Sequence, residues 1–134
     1  MLIPFRKWHF DWLADGERVP GVDVAVIEQL PAKSSFTYVA EGEPIACGGV
    51  VPQWNGRGVA WAYLKDCTGP HMLAITRAAR AIIDESPGRV EATVREDFAA
   101  GHRWMRLLGF EVETPRMRGY GPEGEDHTGY VRFN

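Results

Sequence analysis

The sequence predicts a single domain of the α/β (α+β) class, in which one mixed sheet combines hairpins with a crossover. Short apolar or alternating segments bounded by Gly, Pro, Asn and Asp are typical of strands, and longer segments with apolar residues three or four apart are typical of helices. In chain order these segments give β, α, α, β, β, β, α, β, α, β, β, so antiparallel hairpins precede a strand–helix–strand crossover. A length of 134 residues suits one domain covering residues 1–134.

The N-terminal part is predicted to form one short strand and two helices. Leu2–Phe5 is apolar and suits a strand, and Lys7–Leu13 is the first helix. Val22–Leu30 is the second helix, and Pro20-Gly21 separates the two because both residues interrupt regular structure. Pro31 ends the second helix, since proline cannot continue the hydrogen-bond ladder.

The next stretch is predicted to form three antiparallel strands. Ser35–Ala40 is rich in aromatic and β-branched residues, and Glu41–Pro44 is expected to turn the chain. Ile45–Val51 is the second strand, whose two adjacent glycines mark a bulge or a close backbone approach. Asn55-Gly56 is a strong hairpin signal that leads into the third strand, Val59–Leu64.

The C-terminal half is predicted to contain the crossover and a closing hairpin. Apolar residues at helical spacing predict a long helix over Pro70–Glu85, and alternation predicts a strand over Arg89–Val94. This helix should return the chain so that the new strand lies parallel to the third hairpin strand. A shorter helix over Asp97–Leu108 follows, and Glu111–Met117 and Gly129–Phe133 are the predicted closing strands.

The composition argues against several classes of function. With 15 basic and 18 acidic residues and a net charge of −3, the chain has no basic excess for binding duplex nucleic acid. No apolar run approaches the length of a membrane span, and the N-terminal residues lack the apolar core of a signal peptide. Scattered histidines and the lack of a CxxC pair predict no metal site. We expect Cys47 and Cys67 to be reduced thiols of a cytosol-like compartment, with a disulfide left open as the alternative.

Two glycine-containing stretches have different interpretations. Gly56-Arg57-Gly58 is close to the dinucleotide-binding fingerprint, but Trp61 replaces its third glycine and the stretch leads into a strand, so we interpret it as a hairpin turn. Cys67–Met72 follows a strand and opens a helix, where free backbone N–H groups and the helix dipole favour a phosphate. Gly69 and Pro70 suit the cap and the first position of that helix, and an ordinary capped helix is the alternative explanation.

The end of the last helix carries a family resemblance. Leu108-Gly109-Phe110-Glu111, together with TGPHM at the start of the long helix and the order of elements, resembles the GCN5-related N-acetyltransferase (GNAT) family over nearly the whole chain. Gly109 suits the left-handed conformation that ends a helix, and Phe110 can fold back onto the apolar face. The segments GPHMLAITRAAR, EATVREDFAAGHRWMRLLGFE and PRMRGY are more narrowly similar to small GNAT-like proteins encoded by tailed bacteriophages and prophages, some of them described as internal virion proteins.

This resemblance implies a GNAT-like fold, with a mixed, mostly antiparallel sheet and helices on both faces. It implies acetyl-CoA as the candidate cofactor, held at Leu64, Lys65, Thr68, Gly69, His71 and Met72. In the family's phosphate-binding pattern Gly69 matches the first glycine, whereas Asp66 stands where Arg or Gln is expected and His71 where a small residue is expected. The family's tyrosine acid falls on Met105 and its asparagine on Phe98.

The resemblance leaves the catalytic residues unknown and suggests two candidates. An acyl transfer must deprotonate an amine and stabilise an oxyanion, which the backbone N–H near Leu64 could bind. His102 lies at the edge of the apolar face of its helix and is a candidate base, with a structural or solvated role as the alternative. Glu91 lies in the strand beside the expected cleft, and an exposed strand position is its alternative. No metal is implied.

Other side chains have both a binding and a structural interpretation. Arg77 and Arg80 could meet the 3′-phosphate of the cofactor or could form a solvated helix face. Four aromatic residues could line an acceptor groove or could belong to the core: Trp54, Trp61, Tyr63 and Trp104.

The resemblance therefore implies a phage-type, acetyl-CoA-dependent N-acetyltransferase whose acceptor is a small-molecule or protein amine. The alternative is a catalytically degenerate GNAT-fold protein that serves as a virion or host-interaction component of a tailed bacteriophage, with virion proteins as partners. A third hypothesis retains CoA binding without chemistry. The first hypothesis places the chain in the host bacterial cytoplasm and the second in the virion, and neither requires nucleic acid or a membrane.

Overall fold

The computed structural model describes residues 1–19 and 22–134. Over these residues the strands are β1 (Leu2–Ile3), β2 (Ser35–Ala40), β3 (Glu43–Trp54), β4 (Arg57–Leu64), β5 (Arg89–Arg95), β6 (Glu111–Met117) and β7 (His127–Phe133). The α-helices are α1 (Lys7–Ala14), α2 (Val24–Ile27), α3 (Met72–Glu85) and α4 (Ala99–Leu107). Two 3₁₀ segments cover Ala32–Ser34 and Asp66–His71.

The strands form one mixed sheet in the order β1-β2-β3-β4-β5-β7-β6. Strands β4 and β5 are parallel, and the other neighbouring pairs in this sheet are antiparallel. Helix α3 makes the crossover between the parallel pair, which needs a long connection. The predicted α/β class with a mostly antiparallel sheet is confirmed, and so is the parallel placement of Arg89–Val94.

Helices cover both faces of the sheet, as predicted. On one face α3 and the α4 region bury Ile75, Ile83 and Leu108 against the strands. On the other face α1 and α2 enclose a second core that contains Ile27 and Cys47. Burial raises the pKa of the Cys47 thiol to about 12, so this thiol is protonated and unreactive at neutral pH.

The second helix is shorter than the sequence predicts. Helix α2 covers only Val24–Ile27, so the prediction of a helix over Val22–Leu30 is wrong in extent. Its start is fixed by Asp23, whose side chain accepts from the Ala25 N–H. After Ile27 the Gln29 N–H donates to the Val26 carbonyl over 3.0 Å and the Leu30 N–H to the Ile27 carbonyl over 3.0 Å, and these i→i+3 bonds tighten the chain and end the α-helix. The predicted breaker Pro20-Gly21 lies outside the described residues.

Several strand boundaries also differ from the prediction. The later strands are longer than predicted, since β3 runs to Trp54, β4 begins at Arg57, β5 ends at Arg95 and β7 begins at His127. Strand β1 stops before Pro4, because proline has no N–H to donate to the ladder. The turn predicted over Glu41–Pro44 is confined to Glu41 and Gly42, whose φ values of 53° and 79° suit a two-residue hairpin loop. Pro44 therefore belongs to β3 and lies at an irregularity in its pairing with β2.

The β3–β4 hairpin is formed as predicted. Its pairing runs from Ala46↔Leu64 to Trp54↔Arg57, with Asn55-Gly56 as the loop. The close backbone approach predicted for the two glycines of β3 is also confirmed. A Cβ atom on Gly48 would lie 2.8 Å from the carbonyl oxygen of Trp61, and one on Gly49 would lie 2.3 Å from that of Ser34. Only glycine fits such contacts without moving a neighbouring strand.

The end of α4 has the conformation that its sequence predicts. Gly109 adopts a φ of +88°, in the left-handed region. The Phe110 N–H donates to the Met105 carbonyl over 2.9 Å and the Gly109 N–H donates to the Arg106 carbonyl over 3.1 Å. These two bonds form the Schellman motif, which ends the helix and returns Phe110 to the core, where it is 4% exposed. The helix begins at Ala99 and not at the predicted Asp97.

Helix α1 is anchored by a buried histidine. Nδ1 of His9 accepts from the Arg6 N–H over 2.9 Å and lies 2.8 Å from the Thr37 hydroxyl on β2. The ring therefore caps an otherwise open N–H group and joins α1 to the sheet. Burial lowers the pKa of His9, and the nearby Arg6 charge lowers it further.

We expect the free energy of unfolding to fall as the pH is lowered from about 7 to about 5. The pKa of His9 is lower in the folded chain than its ordinary value of about 6.5, so the unfolded chain binds this proton more readily. The contribution of His9 to the free energy of unfolding is complete above its pKa in the unfolded chain. It is lost as the pH falls towards its pKa in the folded chain. Urea titrations at a series of pH values measure it.

The control for this prediction keeps the cap and removes the titration. In His9→Gln the amide oxygen can still accept from the Arg6 N–H, so the slope of stability against pH should flatten between these pH values. An unchanged slope in His9→Gln would show that another group is responsible.

Candidate functional site

The parallel strands β4 and β5 separate soon after they begin to pair. Their register is Arg57↔Arg89, Gly58↔Val90 and Val59↔Glu91, and the ladder between them ends there. The segments 60–64 and 92–95 therefore flank a wedge that opens towards the C-terminal ends of both strands. We call this wedge the β4–β5 cleft. An interrupted ladder exposes backbone groups that can bind an extended ligand.

The backbone of β4 presents N–H groups to this cleft. The Lys65 N–H donates to the Ile45 carbonyl over 2.9 Å, so it points to β3 and away from the cleft. Because backbone direction alternates along a strand, the N–H groups of Ala62 and Leu64 point to the cleft side. The structure thus places Leu64, predicted as a cofactor residue and oxyanion donor, with its amide at the cleft.

Lys65, another predicted cofactor residue, is turned away from the cleft by its backbone. Its side-chain Nζ lies 3.7 Å from a Glu43 carboxylate oxygen and 6.0 Å from the centre of the Trp12 ring. Glu43 belongs to β3 and Trp12 to α1, which packs on β3 and β4, so the charge of Lys65 is engaged within the protein.

The segment after β4 is a 3₁₀ turn and not the start of α3. Helix α3 begins at Met72, so the predicted start at Pro70 is wrong. Within the turn the Thr68 N–H donates to the Lys65 carbonyl over 3.3 Å, and the Met72 N–H donates to the Gly69 carbonyl. Proline has no N–H at all. The segment therefore offers fewer free N–H groups to a phosphate than a helix start would.

Two predicted cofactor residues in this segment differ in their surroundings. A Cβ atom on Gly69 would meet nothing within 4 Å, so this glycine borders open space. The Nδ1 atom of His71 lies 3.3 Å from the hydroxyl of Tyr38 on β2, with the two rings 5.3 Å apart. His71 is thus held over the sheet, whereas Gly69 leaves room for a ligand to approach the backbone.

A side-chain bridge spans the cleft on the face that α3 and α4 cover. Helix α3 packs on β2 and β3 and α4 packs on β5, so the two helices flank β4. The Trp104 Nε1–H donates to the Thr76 hydroxyl over 3.0 Å, and the Arg80 guanidinium donates to the Leu107 carbonyl. We call the first contact the Trp104–Thr76 bridge. A ligand entering between the helices would have to displace it.

His102 has both ring nitrogens engaged within the protein. Nε2 lies 2.9 Å from the Glu96 carbonyl oxygen, which can only accept, so Nε2 carries the proton. Nδ1 then accepts from the Tyr130 hydroxyl over 2.6 Å. No lone pair is left to take a proton from an amine. The geometry favours the structural role that the sequence left open for His102, a link between α4 and β7.

Glu91 lies at the closed end of the cleft and is paired with two arginines. Its carboxylate accepts from Arg57 over 2.6 and 2.9 Å and from Arg89 over 2.6 Å. The hydrogen bond from Arg57 is the main cause that lowers the pKa of Glu91 to about 2, and the hydrogen bond from Arg89 lowers it further. So weak a base is unsuited to deprotonating an amine near neutral pH. Glu91 is half-buried and not the exposed strand position that was its alternative.

The remaining predicted residues take mostly structural positions. Met105 is 7% exposed and lies in the core under α4, where it has no proton to give. Trp61 is 5% exposed and belongs to the other core, whereas Trp54 is exposed and lies against Arg57. Arg77 is an exposed residue of α3.

Tyr63 is an aromatic residue of β4, the strand that borders the cleft. It precedes Leu64 in β4, is half-buried and packs edge-on against Phe10 of α1 with ring centres 5.7 Å apart. Burial first, and the Glu17 carboxylate second, raise the pKa of Tyr63 to about 12. The phenol is therefore protonated at neutral pH, and its single O–H is directed to the Glu17 carboxylate. The sequence left Tyr63 as a groove or a core residue, and its pairing with Glu17 had no signal in the sequence.

The described residues contain neither a metal-binding cluster nor a membrane-spanning helix. Among residues 1–19 and 22–134, no group of three or more His, Cys, Asp or Glu side chains is arranged to hold a metal ion. None of the helices in the same ranges combines the length and apolar character needed to cross a membrane.

The sequence matches no family model, and it matches no curated protein. The structure is similar to solved acetyltransferases. Ard1 from Thermoplasma volcanium superimposes with a TM-score of 0.75 and 14% identity, covering 99% of this chain and 96% of that one. YncA from Salmonella typhimurium is a putative acetyltransferase solved with its cofactor acetyl-CoA. It superimposes with a TM-score of 0.71 and 15% identity, covering 99% of this chain and 92% of that one. A GCN5-related N-acetyltransferase from Kribbella flavida superimposes with a TM-score of 0.68 and 14% identity, covering 100% of this chain and 97% of that one. At these identities the likeness shows the fold, and the GNAT-like fold is confirmed.

Proposed function

We propose that this chain is an acetyl-CoA-dependent N-acetyltransferase that acts on an amine of a small molecule or a protein. The observation that carries the proposal is the β4–β5 cleft, where the amides of Ala62 and Leu64 face an interrupted ladder. The same fold binds acetyl-CoA in the YncA structure.

The groups at the cleft fit one part of the cofactor better than another. The free edge of β4 suits the amide-bearing arm of CoA, because an extended chain with amide groups can pair with a strand edge. The 3₁₀ segment 66–71 suits the pyrophosphate less well, since its own turn uses N–H groups and Asp66 adds a negative charge. We therefore expect the arm to contribute more to affinity than the pyrophosphate.

The chain's own groups can perform part of an acyl transfer. Bound acetyl-CoA would supply a thioester carbonyl for attack by the acceptor amine. The Leu64 N–H, aimed at the cleft, can donate to the oxyanion that forms on that carbonyl. Tyr63 directs its single O–H to the Glu17 carboxylate and so adds no further donor to the reaction. Neither His102 nor Glu91 is available as the base, so the amine must arrive uncharged or lose its proton to water. Transfer should therefore be slow near neutral pH.

The resemblance to phage-encoded GNAT-like proteins supports a phage-type enzyme of the host bacterial cytoplasm. A second candidate function is a GNAT-fold virion or host-interaction protein without catalysis. The Trp104–Thr76 bridge and the 3₁₀ turn favour this second candidate, because both reduce access for the cofactor. The two functions differ in one measurable property, which is binding of acetyl-CoA.

The deciding experiment titrates the purified chain with acetyl-CoA and with CoA by calorimetry. We expect roughly micromolar binding of acetyl-CoA, in the range usual for enzyme ligands. Incubation with a panel of amines and mass spectrometry should then show slow transfer of one acetyl group. If acetyl-CoA binds but no acetylated product forms, the chain would be a protein that binds CoA without catalysing acetyl transfer. No heat and no product would overturn the proposal in favour of the virion or host-interaction role.

A further inference from the structure

We propose that the outer surface between α3 and α4 binds an acidic amphipathic helix of a partner protein. This surface is bordered by Leu73, Arg77 and Arg80 of α3 and by Arg103 and Leu107 of α4, and all five side chains are exposed. We call it the α3–α4 groove. Because these side chains lie on the solvent side of both helices, the proposal does not depend on acetyl transfer.

Two contacts hold the helices side by side. The Trp104 Nε1–H donates to the Thr76 hydroxyl over 3.0 Å, and the Arg80 guanidinium donates to the Leu107 carbonyl. The helices run in the same direction, because Thr76 precedes Arg80 in α3 and Trp104 precedes Leu107 in α4. Two helices side by side leave a groove along their outer surface, and a third helix can pack into such a groove.

Helical spacing places the exposed side chains along this groove. At about 100° per residue, the three α3 residues lie within a sector of about 60° and next to Thr76, which contacts α4. The two α4 residues lie within about 40° of each other and next to Trp104, which contacts α3. Each helix therefore lines the groove with one stripe that carries both arginine and leucine.

The positive charges of the groove have no acidic partners. Elsewhere in the chain seven basic side chains each lie within 3.7 Å of a carboxylate oxygen: Lys7, Arg57, Lys65, Arg89, Arg95, Arg116 and Arg132. Among the residues that the structure describes, no carboxylate is that close to Arg77, Arg80 or Arg103. Asp84, an exposed acid of α3, is already bound to Arg132. In a chain with a net charge of −3, the groove thus concentrates uncompensated positive charge, which favours an acidic partner.

Two exposed leucines indicate that the partner is an amphipathic helix and not a phosphate backbone. Leu73 is 66% exposed and Leu107 is 59% exposed, and they lie on the two stripes of one groove. Covering both would remove apolar surface from water, which favours binding. An amphipathic helix can place apolar residues on these leucines and carboxylates beside the arginines. A phosphate backbone would pair with the arginines and leave the leucines in water.

The test titrates isotope-labelled protein with three synthetic peptides of about 18 residues, long enough to form a helix. The first consists of glutamate, alanine and leucine with its leucines on one helical face, and the others replace its glutamates by lysine or its leucines by alanine. Nuclear magnetic resonance should show saturable shifts of the Leu73 and Leu107 methyl groups with the first peptide, at a Kd of roughly 100 μM. Each control peptide should bind about tenfold more weakly. Absence of saturable shifts with the first peptide, or equal binding of either control, would overturn the proposal.

Two further measurements test other occupants of the groove. A thymidine oligonucleotide should bind more weakly than the acidic peptide, and sedimentation of the protein alone should show no self-association that Arg77→Gln changes. Tighter binding of the oligonucleotide would assign the groove to a nucleic acid. Self-association that Arg77→Gln weakens would assign it to a second copy of the chain. Either result would overturn the proposal.

Three variants assign the charges. Arg77→Gln and Arg103→Gln should each weaken binding of the acidic peptide about threefold, because each removes one exposed positive charge from the groove. Arg6→Gln is the matched control, since this exposed arginine precedes α1 on the opposite face of the sheet, and it should bind the peptide as the wild type does. Peptide affinity that neither Arg77→Gln nor Arg103→Gln changes would contradict the proposed contact.

Discussion

Replacing Gly49 by alanine is expected to destabilise the chain by about 3 kcal/mol, the largest effect of a single methyl group that we predict. The new Cβ atom would lie 2.3 Å from the Ser34 carbonyl oxygen and 2.7 Å from the Ser35 Cα. Both are backbone atoms, so the contact can be relieved only by moving β3 away from the start of β2. Urea unfolding followed by circular dichroism measures the loss.

The matched control is Gly69→Ala, which adds the same methyl group where nothing lies within 4 Å. Its stability should remain within about 0.5 kcal/mol of the wild type, as for an ordinary surface change. Equal stabilities of the two variants would mean that β2 and β3 adjust to the methyl group without cost.

Replacing Gly69 by valine is expected to weaken acetyl-CoA binding about tenfold, which corresponds to about 1.4 kcal/mol. The open space beside Gly69 is what a ligand needs to reach the backbone of the 3₁₀ turn, and an isopropyl group would fill it. The Cβ atom of the new side chain meets no atom of the folded chain within 4 Å. Calorimetric titration of both proteins measures the change in Kd.

Two comparisons make this result specific to the site. Gly69→Ala should give an intermediate affinity, because its side chain fills less of the open space. Ala32→Val, in the exposed 3₁₀ segment before β2, adds bulk far from the cleft and should bind as the wild type does. Unchanged affinity in Gly69→Val would place the cofactor somewhere other than this turn.

The parts of the fold that follow from local signals were predictable from the sequence. The hairpin at Asn55-Gly56 depends on one positive φ value, and the end of α4 depends on Gly109, which is also at positive φ. Helix α3 depends on apolar spacing over several turns. The extent of α2 was not predictable in the same way, because good helix formers follow Ile27 and the chain there is instead held by a contact with α1, in which the Glu28 carboxylate accepts from the Lys7 N–H.

The site was less predictable because its side chains are defined by partners far along the chain. From the sequence alone His102 could be a base or a structural residue. The structural role depends on Tyr130 of β7, whose hydroxyl donates to its Nδ1. Glu91 gained its low pKa from Arg57 on a neighbouring strand. Such pairings are set by sheet order, and strand alternation alone gives only the face on which a side chain lies.

The Trp104–Thr76 bridge sets a limit on how fast a ligand can enter the β4–β5 cleft from the side of α3 and α4. If the indole must leave Thr76 before the ligand can pass, the observed association rate rises with ligand concentration only until indole departure becomes the slow step. Beyond that point the observed association rate is constant and equals the rate at which the indole leaves Thr76. It is therefore the same for every ligand that uses this entrance. The indole is one of five tryptophan fluorophores in the chain, so the part of the emission change in a rapid-mixing experiment that is lost in Trp104→Phe would report the departure.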